Sequence, residues 1–256
     1  MSEPIATKFN RLHPDAGSVT VDDLLCGWDP HSPEGAARPR VAINFAVTAD
    51  GSSTLSDGKS GGIGDEGDLA MFRALRDRVD AVMAGTTTMA VEGYRRLIRD
   101  DERRAERVVR GLIADPLAVT ISRSGVLPLA APIFGDPHQR TVAFVPTGKG
   151  SDDPPPGLEE VELAGVTPQA ALEHLAGLGV RSVLCEGGPN LVSALAAGDL
   201  IDDVFLTIAP KFAGGNESGV TTGPPLASPI EFELAHIAER EGSLFIRWSR
   251  RPAEPA

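Results

Sequence analysis

Short β-type apolar runs alternate with stretches of helical periodicity along most of this chain. That alternation restricts the fold more than any other feature of the sequence. Residues 41–47 (VAINFAV) read as a buried strand. Residues 68–79 place Leu69, Phe72, Leu75 and Val79 at helical spacing. A strand over 81–84 stops at Gly85, and a helix begins at Thr86. Strands follow over 117–122 and 141–145, with charged, exposed helical sequence over 101–111. Thr167-Pro168 supplies an N-cap and first-turn pair for a helix over 167–178. A strand over 182–185, a helix over 188–197 and a strand over 204–208 complete the alternation. Two alternating segments, 230–237 and 244–248, flank Arg240-Glu241-Gly242 and predict a hairpin. The pattern predicts an α/β fold: a mostly parallel central sheet flanked by helices, with a C-terminal antiparallel hairpin. Residues 1–39 are polar and broken by five prolines, with a short helix only near Val21. They read as an N-terminal arm, and 40–256 as one domain with no internal repeat.

Charge and cysteine usage narrow the function classes. A net charge of -12 and a pI near 4.9 repel nucleic acid and anionic membrane. An anionic ligand then needs locally placed arginine, lysine and backbone N–H groups. No apolar run approaches membrane-spanning length, and residues 1–10 lack the apolar segment of a signal peptide. Cytoplasmic location is the expectation. Cys26 and Cys185 form no C-x-x-C pair, and no zinc-deaminase motif or other metal set is present.

In open α/β sheets, ligands bind beyond the carboxyl ends of the strands. Four such ends carry unusual residues. Asn44 to Gly51 runs a strand into Thr48-Ala49-Asp50-Gly51, which also reads as a plain turn. Gly85-Thr86-Thr87-Thr88 opens a helix whose first N–H groups suit a phosphate, or equally forms a simple cap. Ser122-Arg123-Ser124 sets a guanidinium between two hydroxyls, either as a phosphate grip or as a solvated turn. Glu186-Gly187-Gly188-Pro189-Asn190-Leu191 follows a strand and opens a helix. Its paired glycines and first-turn proline make an anion nest, with Glu186 facing the same cleft.

Asn44 to Gly51, Gly85 to Thr88 and Glu186 to Leu191, taken in order, resemble the reductase domain of the bifunctional riboflavin-biosynthesis deaminase-reductases. The likeness adds residues 75–82 (LRDRVDAV) and residues 201–215, from Ile201-Asp202-Asp203 to Gly214-Gly215. It runs from about Arg40 to Trp248. It implies a dihydrofolate-reductase-like fold, NADPH as hydride donor, a homodimer, and reduction of a ribosylamino-pyrimidine to its ribityl form. By the same resemblance Gly85, Thr86 and Thr88 lie along the cofactor. Ser122 and Arg123 meet the adenosine 2′-phosphate, and Gly187, Gly188, Pro189, Asn190 and Leu191 meet the pyrophosphate. Asn44, Thr48 and Glu92 face the substrate, and Glu186 and Asp50 are the candidate catalytic carboxylates. Two positions depart from the family pattern. Ser52 stands where a basic residue usually follows Asp-Gly, and residues 91–97 (VEGYRRL) replace an acidic-Pro-x-Leu-Thr-x-Arg stretch. Lys59, Arg95 and Arg96 are the candidate replacements for the missing positive charge. Two other readings stay open on sequence: a reductase of another pteridine-like substrate such as dihydrofolate, and a nucleotide-binding relic without turnover.

Overall fold

A computed structural model describes residues 7–214 and 219–250. Among these residues eleven strands form one sheet. In chain order they are β1 (Lys8–His13), β2 (Gly17–Thr20), β3 (Arg40–Thr48), β4 (Ala81–Met83), β5 (Leu117–Ile121), β6 (Thr141–Pro146), β7 (Leu158–Leu163), β8 (Ser182–Cys185), β9 (Asp203–Ala209), β10 (Phe232–Arg240) and β11 (Ser243–Arg250). Their spatial order is β2-β1-β10-β11-β9-β3-β8-β4-β5-β6-β7. The run from β9 to β7 is parallel throughout. The other side, from β2 to the β11–β9 pair, is antiparallel. The predicted α/β architecture and the terminal hairpin are therefore both present.

Among the same residues six α-helices accompany the sheet: α1 (Val21–Leu24), α2 (Glu66–Arg76), α3 (Thr86–Val91), α4 (Asp101–Val109), α5 (Pro168–Gly177) and α6 (Pro189–Ala197). The strand period of two explains why both faces are filled. On β3, Ala42 packs into the core beneath α2, with Met71, Ala74 and Leu75. Its neighbours Val41, Ile43 and Phe45 pack on the other face with Leu172 and Leu175 of α5 and Val192 and Leu195 of α6. Cys185 is fully buried there, and burial pushes its thiol up to about 12, as suits a small apolar filler.

The structure adds three strands to those read from sequence. β1 and β2 lie in the expected arm, where β1 pairs with β10 and extends the sheet. β7 follows the proline-rich loop and forms the opposite edge, paired only with β6. One helix also differs in character. The stretch over 101–111 is helical as predicted, but Arg107 is 0% exposed rather than solvated. Its guanidinium donates to the carbonyls of Ile113 (2.9 Å), Arg76 (2.6 Å) and Val79 (2.9 Å).

Candidate active site

A large cleft, about 1520 Å³, opens over the carboxyl ends of β3, β8, β4 and β5. It is the position that the strand-end rule predicts. The sequence candidates Asn44, Gly85, Thr86, Thr88, Glu92, Ser122, Arg123, Glu186, Gly188, Pro189, Asn190 and Leu191 all line it. Thr48, Asp50 and Gly187 stand outside its lining, and Gly215 lies outside the described residues.

Two helix starts meet at the centre. Gly85, before α3, donates its N–H to the carbonyl of Gly187 at 2.7 Å, and the Gly187–Gly188 peptide is cis. Gly187 has φ +93, and a Cβ there would fall 2.8 Å from the Phe45 ring. A Cβ on Gly188 would fall 2.8 Å from the Thr88 hydroxyl. Neither position accepts a side chain without displacing a neighbour. Of the six α-helices, α1, α2, α4 and α5 begin with a side-chain cap, from Thr20, Asp65, Asp100 and Thr167. α3 and α6 have none. The uncapped N–H groups of these two helices therefore lie side by side in the cleft, carrying the partial positive charge of a helix start.

The carboxylate that ends β8 is already occupied. Glu186 is 3% exposed and takes both forks of Arg76, at 2.6 and 2.7 Å. The Tyr94 hydroxyl donates to it at 2.6 Å. Burial, reinforced by the Glu186 charge, holds the Tyr94 phenol well above its usual range. Arg76 stacks 4.1 Å over the Phe72 ring and donates to the Leu97 carbonyl at 3.1 Å. Glu186 thus braces β8 against α2 and the segment after α3, and both of its oxygens are engaged. The pairing was missed in the sequence, where Arg76 received no role. The signal available was a charged residue four positions after Phe72, on the apolar stripe of α2.

Asp50 turns away from the cleft. It receives the Thr48 hydroxyl and the N–H groups of Ala213 (3.1 Å) and Gly214 (2.8 Å). The Thr48 hydroxyl and these two N–H groups lower its carboxyl to about 2. Asp50 ties the β3 turn to the segment after β9. Thr48 is buried in the same turn, where its hydroxyl accepts from the Ser52 N–H at 3.0 Å. Glu92 lines the cleft, and its Oε1 accepts from the Ser60 N–H (2.9 Å) and hydroxyl (3.0 Å). The buried Ser122 hydroxyl donates within its own turn to the Val126 carbonyl at 2.8 Å, while Arg123 extends exposed at the rim. Arg96, one of the candidate replacement cations, forms a two-pronged pair with Asp115 at 2.8 and 2.6 Å. Arg73, Arg95 and Arg99 are exposed cleft residues with no carboxylate partner among the described residues.

Glycine-bounded helix starts over the carboxyl edge of a parallel sheet are the arrangement in which α/β proteins present backbone N–H groups to anionic ligands. Residues 39–244 match the RibD C-terminal domain, and the chain belongs to that family. It is an oxidoreductase of the riboflavin-biosynthesis reductase type, and reductases of this family work with a nicotinamide cofactor. The 2,5-diamino-6-ribosylamino-4(3H)-pyrimidinone 5′-phosphate reductase of Archaeoglobus fulgidus is 32% identical over 190 residues, which cover 71% of this chain and 84% of that protein. The enzyme of the same name from Methanothermobacter thermautotrophicus is 32% identical over 187 residues, covering 71% and 82%. In fold, the chain is similar to the crystal structure of a pyrimidine reductase-like protein from Corynebacterium diphtheriae. The TM-score is 0.75 at 20% identity, covering 92% of this chain and 100% of that one.

Proposed function

We propose that the chain is an NADPH-dependent reductase of a phosphorylated ribosylamino-pyrimidine, the substrate class in the names of its archaeal relatives. The observation that carries this reading is the pair of uncapped helix starts joined through Gly85 and Gly187. Their N–H groups fit a pyrophosphate, and the missing side chain at Gly188 lets it approach, while Gly187 leaves room for the Phe45 ring behind the turn. Thr86 and Thr88 flank the cofactor's path, and Pro189, Asn190 and Leu191 form the helix turn beneath it. Arg123 at the rim takes the 2′-phosphate, while Ser122 holds the turn that presents it. When bound, the nicotinamide supplies the hydride that no protein side chain offers.

The chain's own residues then position and neutralise. Arg73, Arg95 and Arg99 offer unpaired charge to the substrate phosphate, in place of the basic residue that Ser52 replaces. Asn44 presents its amide to the heterocycle. Glu186 acts through Arg76 and Tyr94 as a positioning residue, and Glu92 does the same for the Ser60 loop. Asp50 anchors the turn. Following the family resemblance, we place the protein in the cytosol as a homodimer.

Absorbance at the nicotinamide band tests the reading. Mixed with the ribosylamino-pyrimidine phosphate, the protein is expected to oxidise NADPH in preference to NADH. A charge-assisted phosphate contact contributes about 1.5–3 kcal/mol, so Arg123→Ala should weaken NADPH about 10- to 100-fold and spare NADH. Turnover of dihydrofolate instead of the pyrimidine would transfer the substrate assignment. Binding of NADPH with no turnover of either would leave a nucleotide-binding protein.

A further inference from the structure

Residues 7–38 precede the span that matches the family, yet they are built into the core beside the cleft. Phe9, Leu24, Leu25 and Trp28 are all buried, and they share one core cluster with Met71, Ala74 and Leu75. Those three residues are the buried stripe of α2. Leu69, Phe72, Arg73 and Arg76 of the same helix line the cleft. One helix therefore carries the arm's core on one face and a wall of the cleft on another.

Separate contacts tie the arm to that helix and to the cleft floor. Phe9 meets the Phe245 ring edge-on, with centroids 4.9 Å apart. The first turn of α2 rests on the same ring, where a Cβ at Gly67 would lie 2.8 Å away. At the other end of α2, Asp22 of α1 pairs with Arg78, which also donates to the Ala74 carbonyl at 2.9 Å. Trp28 packs edge-on against Phe205 of β9, again with centroids 4.9 Å apart. Phe205 pairs in register with Asn44, which lines the cleft. The Trp28 indole N–H has no hydrogen-bond partner among the described residues, so ring packing is what holds this side chain. Beyond it, the Ser32 N–H donates to the Arg181 carbonyl at 2.9 Å, and the Arg181 side chain returns a bond to the Ser32 carbonyl at 2.8 Å. The α6 side of the cleft is built differently. Leu191, Val192 and Leu195 belong to the core on the opposite face of the sheet, which no described residue of the arm enters.

We infer that residues 7–38 are a strap that sets the position of α2, with Phe9, Asp22 and Trp28 as positioning residues for the substrate half of the cleft. Helix α2 has 11 residues, too few to hold its place by helix propensity, so packing fixes it. A wall fixed by packing shifts when the packing on one face is removed. A shift of about 1 Å in a positioning group can cost about 100-fold in rate, even when its cause lies far from the chemistry. The α6 turn, which offers its N–H groups to the cofactor, is outside the reach of the strap. Assigning the α2 side to the substrate rests on the pyrimidine reading, whereas the coupling of arm to helix does not.

Hydrogen exchange needs no ligand and reads that coupling directly. In Trp28→Ala, amides of residues 66–76 are expected to exchange at least about 10-fold faster, with those of 189–197 unchanged. Asp22→Lys alters a side chain 67% exposed and opens no cavity, so it tests the strap even if Trp28→Ala does not fold. It should give the same pattern at about 2- to 5-fold, as loss of an exposed ion pair allows. In turnover both variants should raise KM for the ribosylamino-pyrimidine phosphate and leave the Kd of NADPH unchanged. Parent-like exchange over 66–76 in Asp22→Lys and in any folded Trp28→Ala would overturn the strap. Equal acceleration over 66–76 and 189–197 would overturn it too, because the arm would then stabilise the whole fold without positioning α2. If the unaltered protein binds NADPH but turns over no pyrimidine, the pyrimidine reading falls, and the exchange pattern alone decides the strap.

Discussion

The two ends of the parallel strands treat charge in opposite ways. At the amino ends, carboxylates are saturated. Asp202 takes both forks of Arg38 and the Val41 N–H. Asp203, 1% exposed, accepts from Arg40, Arg247 and Ser249. Asp80 accepts the N–H groups of Arg181 and Ser182 and the Ser182 hydroxyl. At the carboxyl ends, Arg73, Arg95, Arg99 and Arg123 face the cleft with no carboxylate partner among the described residues. Charge at one end fixes where chain segments join the sheet, and charge at the other is left exposed around the cleft. The Glu186–Arg76–Tyr94 cluster is the exception, a saturated set on the ligand side.

Removing that exception should give the largest effect. Arg76→Ala leaves Glu186, 3% exposed, without its cation. Breaking a buried pair from one side typically costs about 3–5 kcal/mol, or roughly 10 °C in melting temperature for a chain of this size. Thermal unfolding of the variant checks it. Lost turnover with an unchanged melting temperature would instead put Glu186 among the functional groups and blur the contrast between the two ends. A smaller effect is expected at the opposite end. Arg107→Met removes three hydrogen bonds to carbonyls but leaves no unpaired carboxylate. Burial already holds this guanidinium down to about 10, so part of the lost bonding is offset by relief of desolvation. Urea unfolding should show a loss of about 2–3 kcal/mol, with NADPH affinity unchanged. Altered cofactor binding would mean that the two ends are coupled.

What could be read from the sequence follows the same division between local and distant causes. The glycines at 85, 187 and 188 act through their own backbone, so the strand-turn-helix starts were legible from a few consecutive residues. So were the Thr167 cap and the turn at Glu241-Gly242. Arg76 and Glu186 are 110 positions apart, and nothing near either residue announces the partner. Glu186 therefore looked catalytic from its position alone, and Asp50 did so for the same reason until Ala213 and Gly214 were placed against it. The missed strands have a different cause. β1 owes its form to the edge that β10 offers, and β7 carries three glutamates because an edge strand packs on few neighbours.

The smallest effect concerns His31, which clips the segment before β3 to the amino ends of the strands. Its Nδ1 lies 3.4 Å from Asp29 and its Nε2 lies 3.7 Å from Asp80. The Asp80 carboxylate raises the imidazole above its ordinary 6.5, against the opposing effect of burial. A histidine raised in the folded state contributes stability that is fully present below about 6.5 and lost as pH rises through the raised value. Asp80 has the opposite sign. Burial alone would raise it, but the His31 interaction and the Arg181 and Ser182 hydrogen bonds lower it below 3.8 on balance. Its contribution is present above about 3.8 and is lost as pH falls through the lowered value. The clip is therefore strongest between those two limits and weakens first on the alkaline side. His31 is 22% exposed, so the pair is expected to contribute no more than about 1 kcal/mol. His31→Gln should lower the melting temperature by a few degrees near about pH 6 and leave it close to the parent near about pH 9. An equal drop at both pH values would show that His31 holds the segment by packing, and that its charge contributes nothing to the saturated end of the sheet.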